Sequence, residues 1–138
     1  MTTLIDACYY NQTSIFGGQS EAAIQHSGDQ RDGTKEGFDE VITIDLARMP
    51  QNVQAIVLIM NSYQGGTLAD VETARATLQQ EGKGDVCSMS ICCGHGVTGC
   101  GTIVMLLHRT KGTWAYQFSK VSALTEVYFS IIQCIVTF

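Results

Sequence analysis

The chain has 138 residues, a formal net charge of −5 and a pI near 4.9, a balance that argues against a phosphate-backbone binder, which needs a basic face. Hydrophobic residues make up 45% of it, enough to build a core rather than a disordered chain. No apolar run reaches the ~18 residues a membrane-spanning helix needs, and the opening MTTLIDACYY lacks the basic and apolar blocks of a secretory signal. The length fits a single domain over 1–138, and the expected compartment is cytoplasmic, with reduced thiols.

In chain order, short runs of strand-forming residues alternate with Gly, Asn and Asp. The expected strands are 8–10, 41–46, 53–61, 71–78, 86–92, 102–108 and 113–119. Val41, Thr43 and Asp45 alternate with Ile42, Ile44 and Leu46, the period of a half-buried strand. The run Ala55-Ile56-Val57-Leu58-Ile59-Met60 is apolar at every position and predicts a central strand, covered on both faces. The stretch 71–80 fits a strand or a helical stripe through Val71, Ala74 and Leu78, and 121–135 fits a terminal helix or a strand. Thr110-Lys111-Gly112 between two such runs marks a hairpin turn. Pro50 falls between two expected strands, where its fixed φ suits a turn. Trp114, Tyr116 and Phe118, two apart, form one face of a strand and read as core or interface. The pattern as a whole predicts an all-β antiparallel sandwich.

The densest chemistry lies in 26–40, HSGDQRDGTKEGFDE, where Asp29, Asp32, Glu36, Asp39 and Glu40 crowd a Gly-punctuated loop. Like charges gather for a hard cation with oxygen ligands, above all Ca²⁺, or simply as a solvated acidic turn. The loop is not an EF-hand. With Asp29 at position one, Glu40 falls correctly at position twelve, but Arg31, Gly33 and Thr34 fill three key positions with the wrong chemistry. His26, ahead of Ser27-Gly28-Asp29, reads as a hydrogen-bonder of the loop rather than a ligand.

A wider pattern runs through the chain. Tyr10-Asn11-Gln12 is followed by His26-Ser27-Gly28-Asp29, then Asp39-Glu40-Val41-Ile42-Thr43-Ile44-Asp45-Leu46 and Met49-Pro50, with Gly101-Thr102 to His108-Arg109 and Gly112-Thr113-Trp114 downstream. Over roughly 6–120 this resembles the TerD family of tellurium-resistance and stress-response proteins. The resemblance implies a β-sandwich that binds Ca²⁺ without enzymatic activity. Carried over, Ser27, Gly28, Asp29 and Gln30 occupy one ligand segment, and Glu36, Gly37, Phe38, Asp39 and Glu40 the other. Gln30 replaces the family's Asn, Glu36 replaces an Asp, and Phe38 stands where a ligand is expected and cannot serve as one. Lys35 brings a positive charge into the loop, while Asp32 adds a carboxylate that compensates. The family usually begins with two further strands and an N-terminal aspartate ligand. Relative to that pattern the chain is shortened, and Asp6 is the candidate for the remaining ligand.

A shortened sandwich exposes sheet edge, which recruits other strands. The resulting expectation is association with protein chains, as a homo-oligomer or a larger assembly, through an open edge and the apolar C-terminus. An assembly subunit with a decayed Ca²⁺ site is the alternative function. A third reading rests on Cys87, Cys92, Cys93, His95 and Cys100, which supply thiolate and imidazole for zinc or redox chemistry but match no paired-finger spacing. Cys93 with His95 or His108 would make a nucleophile and base, but nothing in the sequence orients the base.

Overall fold

A computed structural model describes residues 3–28, 40–61, 74–91, 101–118, 125–127 and 131–137. Every described element is a strand, and every pairing with a defined register is antiparallel. Among the described residues no helix is long and apolar enough to cross a membrane.

The chain divides into two compact units. The first spans Met1–Val53, Thr77–Ser88 and Phe129–Thr137. It holds most of a sheet of β1 (Ser14–Ile15), β2 (Ile24–His26), β3 (Glu40–Asp45), β10 (Ile131–Thr137), β5 (Ala74–Gln80) and β6 (Gly84–Ile91), in that spatial order, with Ala74–Ala76 of β5 and Met89–Ile91 of β6 counted in the second unit. Strand β3 forms where the sequence strings together Val41, Ile42, Thr43 and Ile44, residues whose branched side chains suit a pleated surface. It is paired on both sides, with Ile24 and Ile132 opposite Ile44, and Ile44 is fully buried. The strand ends at Asp45, whose Oδ1 accepts hydrogen bonds from the backbone N–H of Ala47 and Arg48 and turns the chain. Arg48 locks that turn through an ion pair to Asp45 (3.2 Å) and a hydrogen bond to the Glu21 carbonyl.

In the C-terminal segment the described residues form strands, not a helix. β10 lies between β3 and β5, so its backbone is committed within the sheet rather than offered as an open edge. Strand β5 settles the ambiguity over 71–80 in favour of a strand for Ala74–Gln80. It meets β6 across a tight turn, with Thr77 Oγ1 and Ser88 Oγ 3.1 Å apart and Gln79 Nε2 donating to Asp85 Oδ1. Over 8–10 the expected strand reduces to one bridge between Tyr9 and Gln12.

The second unit spans Gln54–Ala76, Met89–Tyr128 and Phe138. It holds a four-stranded sheet of β4 (Ala55–Asn61), β7 (Gly101–Thr110), β8 (Thr113–Phe118) and β9 (Thr125–Val127) in that order. Trp114, Tyr116 and Phe118 are all buried, so the aromatic face is core. The Arg109 guanidinium lies 4.6 Å from the Trp114 ring centroid, a cation–π contact between register partners. The expectation for β4 is corrected. Among the described residues it is the end strand of this sheet, with Leu58 and Met60 buried on its inner face and Val57 and Ile59 on the other face 47% and 60% exposed. The register between β4 and β7 slips after Leu58, where Val104 is the extra residue of a bulge. The slip lets consecutive Val104 and Met105 both be buried, which strict alternation forbids.

Candidate functional site

The acidic segment hangs between β2 and β3. Three contacts close its described ends. Ser27 N–H donates to the Val41 carbonyl (2.9 Å), extending the β2–β3 ladder one step. Val41 N–H donates to Ser27 Oγ (2.9 Å), so the hydroxyl acts as a peg between the two ends. Gly28 N–H donates to His26 Nδ1 (2.9 Å), which bends the chain out of the strand. At this bend Gly28 has φ +95°, a conformation that L side chains rarely adopt.

That last bond fixes the state of the imidazole. Because Nδ1 accepts, the proton of the neutral ring sits on Nε2. Nε2 faces Glu40 Oε2 at 3.9 Å, ion-pair range but longer than a hydrogen bond. The His26 side chain is 8% exposed, and its backbone N–H donates to the Thr13 carbonyl. The expectation that His26 serves as a loop hydrogen-bonder holds.

The N-terminal segment comes to the same place. Asp6 Oδ1 accepts from Ala7 N–H and from Gln12 Nε2, both at 2.8 Å, and Gln12 Nε2 also donates to the Ala7 carbonyl. These bonds close Asp6–Gln12 into a turn that carries Cys8. Burial pushes the Cys8 thiol up from its ordinary value, and the Asp6 carboxylate pushes it further; a backbone hydrogen bond from His26 pulls the other way. The Cys8 thiol thus meets the His26 backbone, and Asp6 acts on it through charge. The sequence offered no signal for this link, because it depends on how the N-terminal turn lies against β2.

Of the expected ligands, Ser27, Gly28 and Glu40 are gathered at one seam, while Asp6 lies in the N-terminal turn, bonded to Ala7 and Gln12. Asp29, Gln30, Asp32, Glu36 and Asp39 lie outside the described residues. The seam offers a carboxylate, a hydroxyl and the carbonyl of Gly28, all hard oxygen donors suited to Ca²⁺. The nearby thiol is held in its protonated form, which disfavours it as a soft-metal ligand. In the cysteine-rich stretch, Cys87 is a half-buried free thiol on β6, while Cys92, Cys93, His95 and Cys100 lie outside the described residues. His108 lies on β7 with Nδ1 3.4 Å from the Arg109 carbonyl.

Comparison with known proteins decides the family. The family model described as "TerD domain" matches residues 2–128. The chain belongs to the TerD family. Over 94 residues it is 31% identical to "Tellurium resistance protein TerZ" of Serratia marcescens, an alignment covering 68% of this chain and 48% of that protein. This TerD chain thus spans about half the length of the curated relative it matches. No solved structure matches it.

Proposed function

We propose that this TerD chain is a non-enzymatic, cytoplasmic Ca²⁺-binding protein of the stress-response type, with its cation site in the loop that leaves β2 at Ser27 and enters β3 at Glu40. The observation that carries the reading is the Ser27–Val41 and His26–Gly28 seam, which pins both ends of the most acidic stretch of the chain. Glu40 and the Gly28 carbonyl supply oxygens from the described ends; Asp29, Gln30, Asp32, Glu36, Asp39, Asp6 and water supply the remainder of the ~6–8 that Ca²⁺ takes. Bound Ca²⁺ would neutralise carboxylates that otherwise repel one another. The relative's name ties it to tellurium resistance; for this chain that is a phenotype to test, and no tellurium chemistry is proposed.

Thermal unfolding in EGTA and then in millimolar Ca²⁺ tests the reading. With a site of ~10 µM affinity, 1 mM Ca²⁺ adds about 2.7 kcal/mol, or a midpoint rise of roughly 5–10 °C. Asp29→Ala abolishes most of that rise. A wild-type midpoint that ignores Ca²⁺ refutes the site.

A second reading, assembly with other protein chains, is favoured by the exposed face of β4 and β7. Ile59 and its register partner Ile103 are 60% and 52% exposed, with Val57 beside them. Apolar clusters of this kind mark interaction surfaces more often than isolated exposed residues do. Ile59→Lys lowers any self-association seen by sedimentation, while changing stability by no more than about 0.5 kcal/mol. Unchanged sedimentation argues that this face is not the contact.

A further inference from the structure

We propose that β4 is an open pairing edge whose occupant is the β4 strand of a second copy of this chain, set antiparallel so that two four-stranded sheets join into one. The proposal rests on the assembly reading above and names its partner and its contact. A strand at the end of a sheet presents unpaired N–H and C=O groups, and proteins blunt such ends with shortness, charge or proline. Among the described residues the two sheets end at β1, β6, β4 and β9. β1 is two residues long, and β9 is three with Glu126 at its centre. β6 has eight residues but carries Asp85. β4 has seven residues and none of these devices: from Ala55 to Asn61 it holds no charged residue and no proline.

The free backbone groups of this edge follow from its pairing. The Arg109 N–H donates to the Gln54 carbonyl, one step before the register pair Ala55 and His108. Antiparallel partners alternate between bonded and non-bonded pairs. Ile56 and Leu58 therefore turn their backbone groups toward β7, while Ala55 and Val57 turn theirs away. The extra residue of the bulge lies on β7, so the alternation within β4 continues and Ile59 also points outward.

Charge and register favour a second copy. At a net charge of −5, copies of the chain repel one another wherever charged surfaces meet, and β4 brings no charge to the contact. A two-fold axis at Leu58 overlaps the two strands along their whole length and sets Val57 beside Ile59 of the second copy, and Ile59 beside its Val57. Both residues have outward backbone groups, so this is a register in which the bonds between copies form. It also places their side chains, 47% and 60% exposed in the single chain, in aliphatic cross-strand pairs.

Sedimentation of the full chain from micromolar to millimolar concentration, with amide hydrogen exchange on the same samples, tests the proposal. A monomer–dimer equilibrium is expected. In it the Ala55, Val57 and Ile59 amides gain protection as the dimer fraction rises, while the Ile56 and Leu58 amides are protected throughout by β7. This readout uses the wild type and does not depend on a variant folding. Val57→Pro removes an outward N–H and no rung of the β7 ladder, and it should lose the dimer. Ile59→Thr keeps the N–H and the branched shape, and it should weaken the dimer without abolishing it. A dimer whose outward amides exchange as fast as in the monomer overturns edge pairing and leaves the assembly reading standing, as does a folded Val57→Pro chain that dimerises like the wild type. A chain that stays monomeric at every concentration overturns edge pairing and self-association together.

Discussion

Two of the connections between adjacent antiparallel strands do the same job in opposite ways. Between β7 and β8 the chain reverses through Lys111 and Gly112 alone, with φ of 48° and 83°, the two positive values of the turn that matches strand twist. Thr113 Oγ1 donates to the Thr110 carbonyl and closes the corner. Between β2 and β3 the same pairing geometry is spanned by the whole stretch 27–39. Pairing Ile24 with Ile44 and His26 with Ile42 does not demand so long a connection. Loops longer than about 12 residues in compact domains are usually functional or disordered. The short turn is therefore explained by folding alone, while the length of the second connection is not required by the pairing of β2 with β3 and accords with the proposed cation site.

The sharpest way to test the folding half of this contrast is at Trp114, which lies next to the short turn and is buried beneath Arg109. Trp114→Ala should cost about 3–5 kcal/mol in denaturant unfolding. Trp114→Phe should cost much less, since among the described residues the indole N–H finds no hydrogen-bond acceptor to lose. Neither change should alter the Ca²⁺-induced rise in midpoint.

Gly112→Ala is the next largest. A side chain forced into φ 83° costs about 1–2 kcal/mol, again without effect on Ca²⁺. Gly28→Ala carries a comparable backbone cost at φ 95°, where among the described residues a Cβ meets nothing within 4 Å. There, unlike at Gly112, Ca²⁺ affinity should fall as well, because the carbonyl that follows the turn is displaced. Equal Ca²⁺ affinity in the two glycine variants would erase the distinction between the connections.

The smallest effect is at Cys8. Its raised pKa means that the folded chain holds the thiol proton more tightly than the unfolded chain does. The associated stabilisation is present below the ordinary thiol pKa and is lost as pH rises through the higher folded value. Alkylation at pH 8 should accordingly be slower in the native protein than in denaturant, and Asp6→Asn should speed it by removing one of the two causes. A rate unchanged by Asp6→Asn would show that the Asp6 carboxylate does not act on the thiol.

Much of the fold was legible in the residues. The alternation in 41–46, the Lys111-Gly112 turn and the aromatic period at 114, 116 and 118 each have a local cause, and each appears in the structure. Strands β1 and β2 escaped notice because two or three residues are too few to show a period; they exist by pairing with each other and with β3. β4 misled for a different reason. Apolar residues on both faces signal a strand, but whether the second face is covered depends on its neighbours, and Val57 and Ile59 are not covered. The C-terminal run carried too mixed a pattern to choose between helix and strand until β3 and β5 flanked it. In the candidate site, carboxylate crowding was visible at once. The Ser27 peg and the meeting of Cys8 with the His26 backbone were not, since both arise only when distant backbone segments meet.

The most direct test of the central claim is a Ca²⁺ titration followed by amide NMR on the chelator-treated protein. The account predicts saturable shifts at Ser27, Gly28, Glu40 and Val41, with the Lys111 and Gly112 amides and the Trp114 indole unmoved. Shifts spread evenly over both connections, or none at the β2–β3 seam, would contradict it.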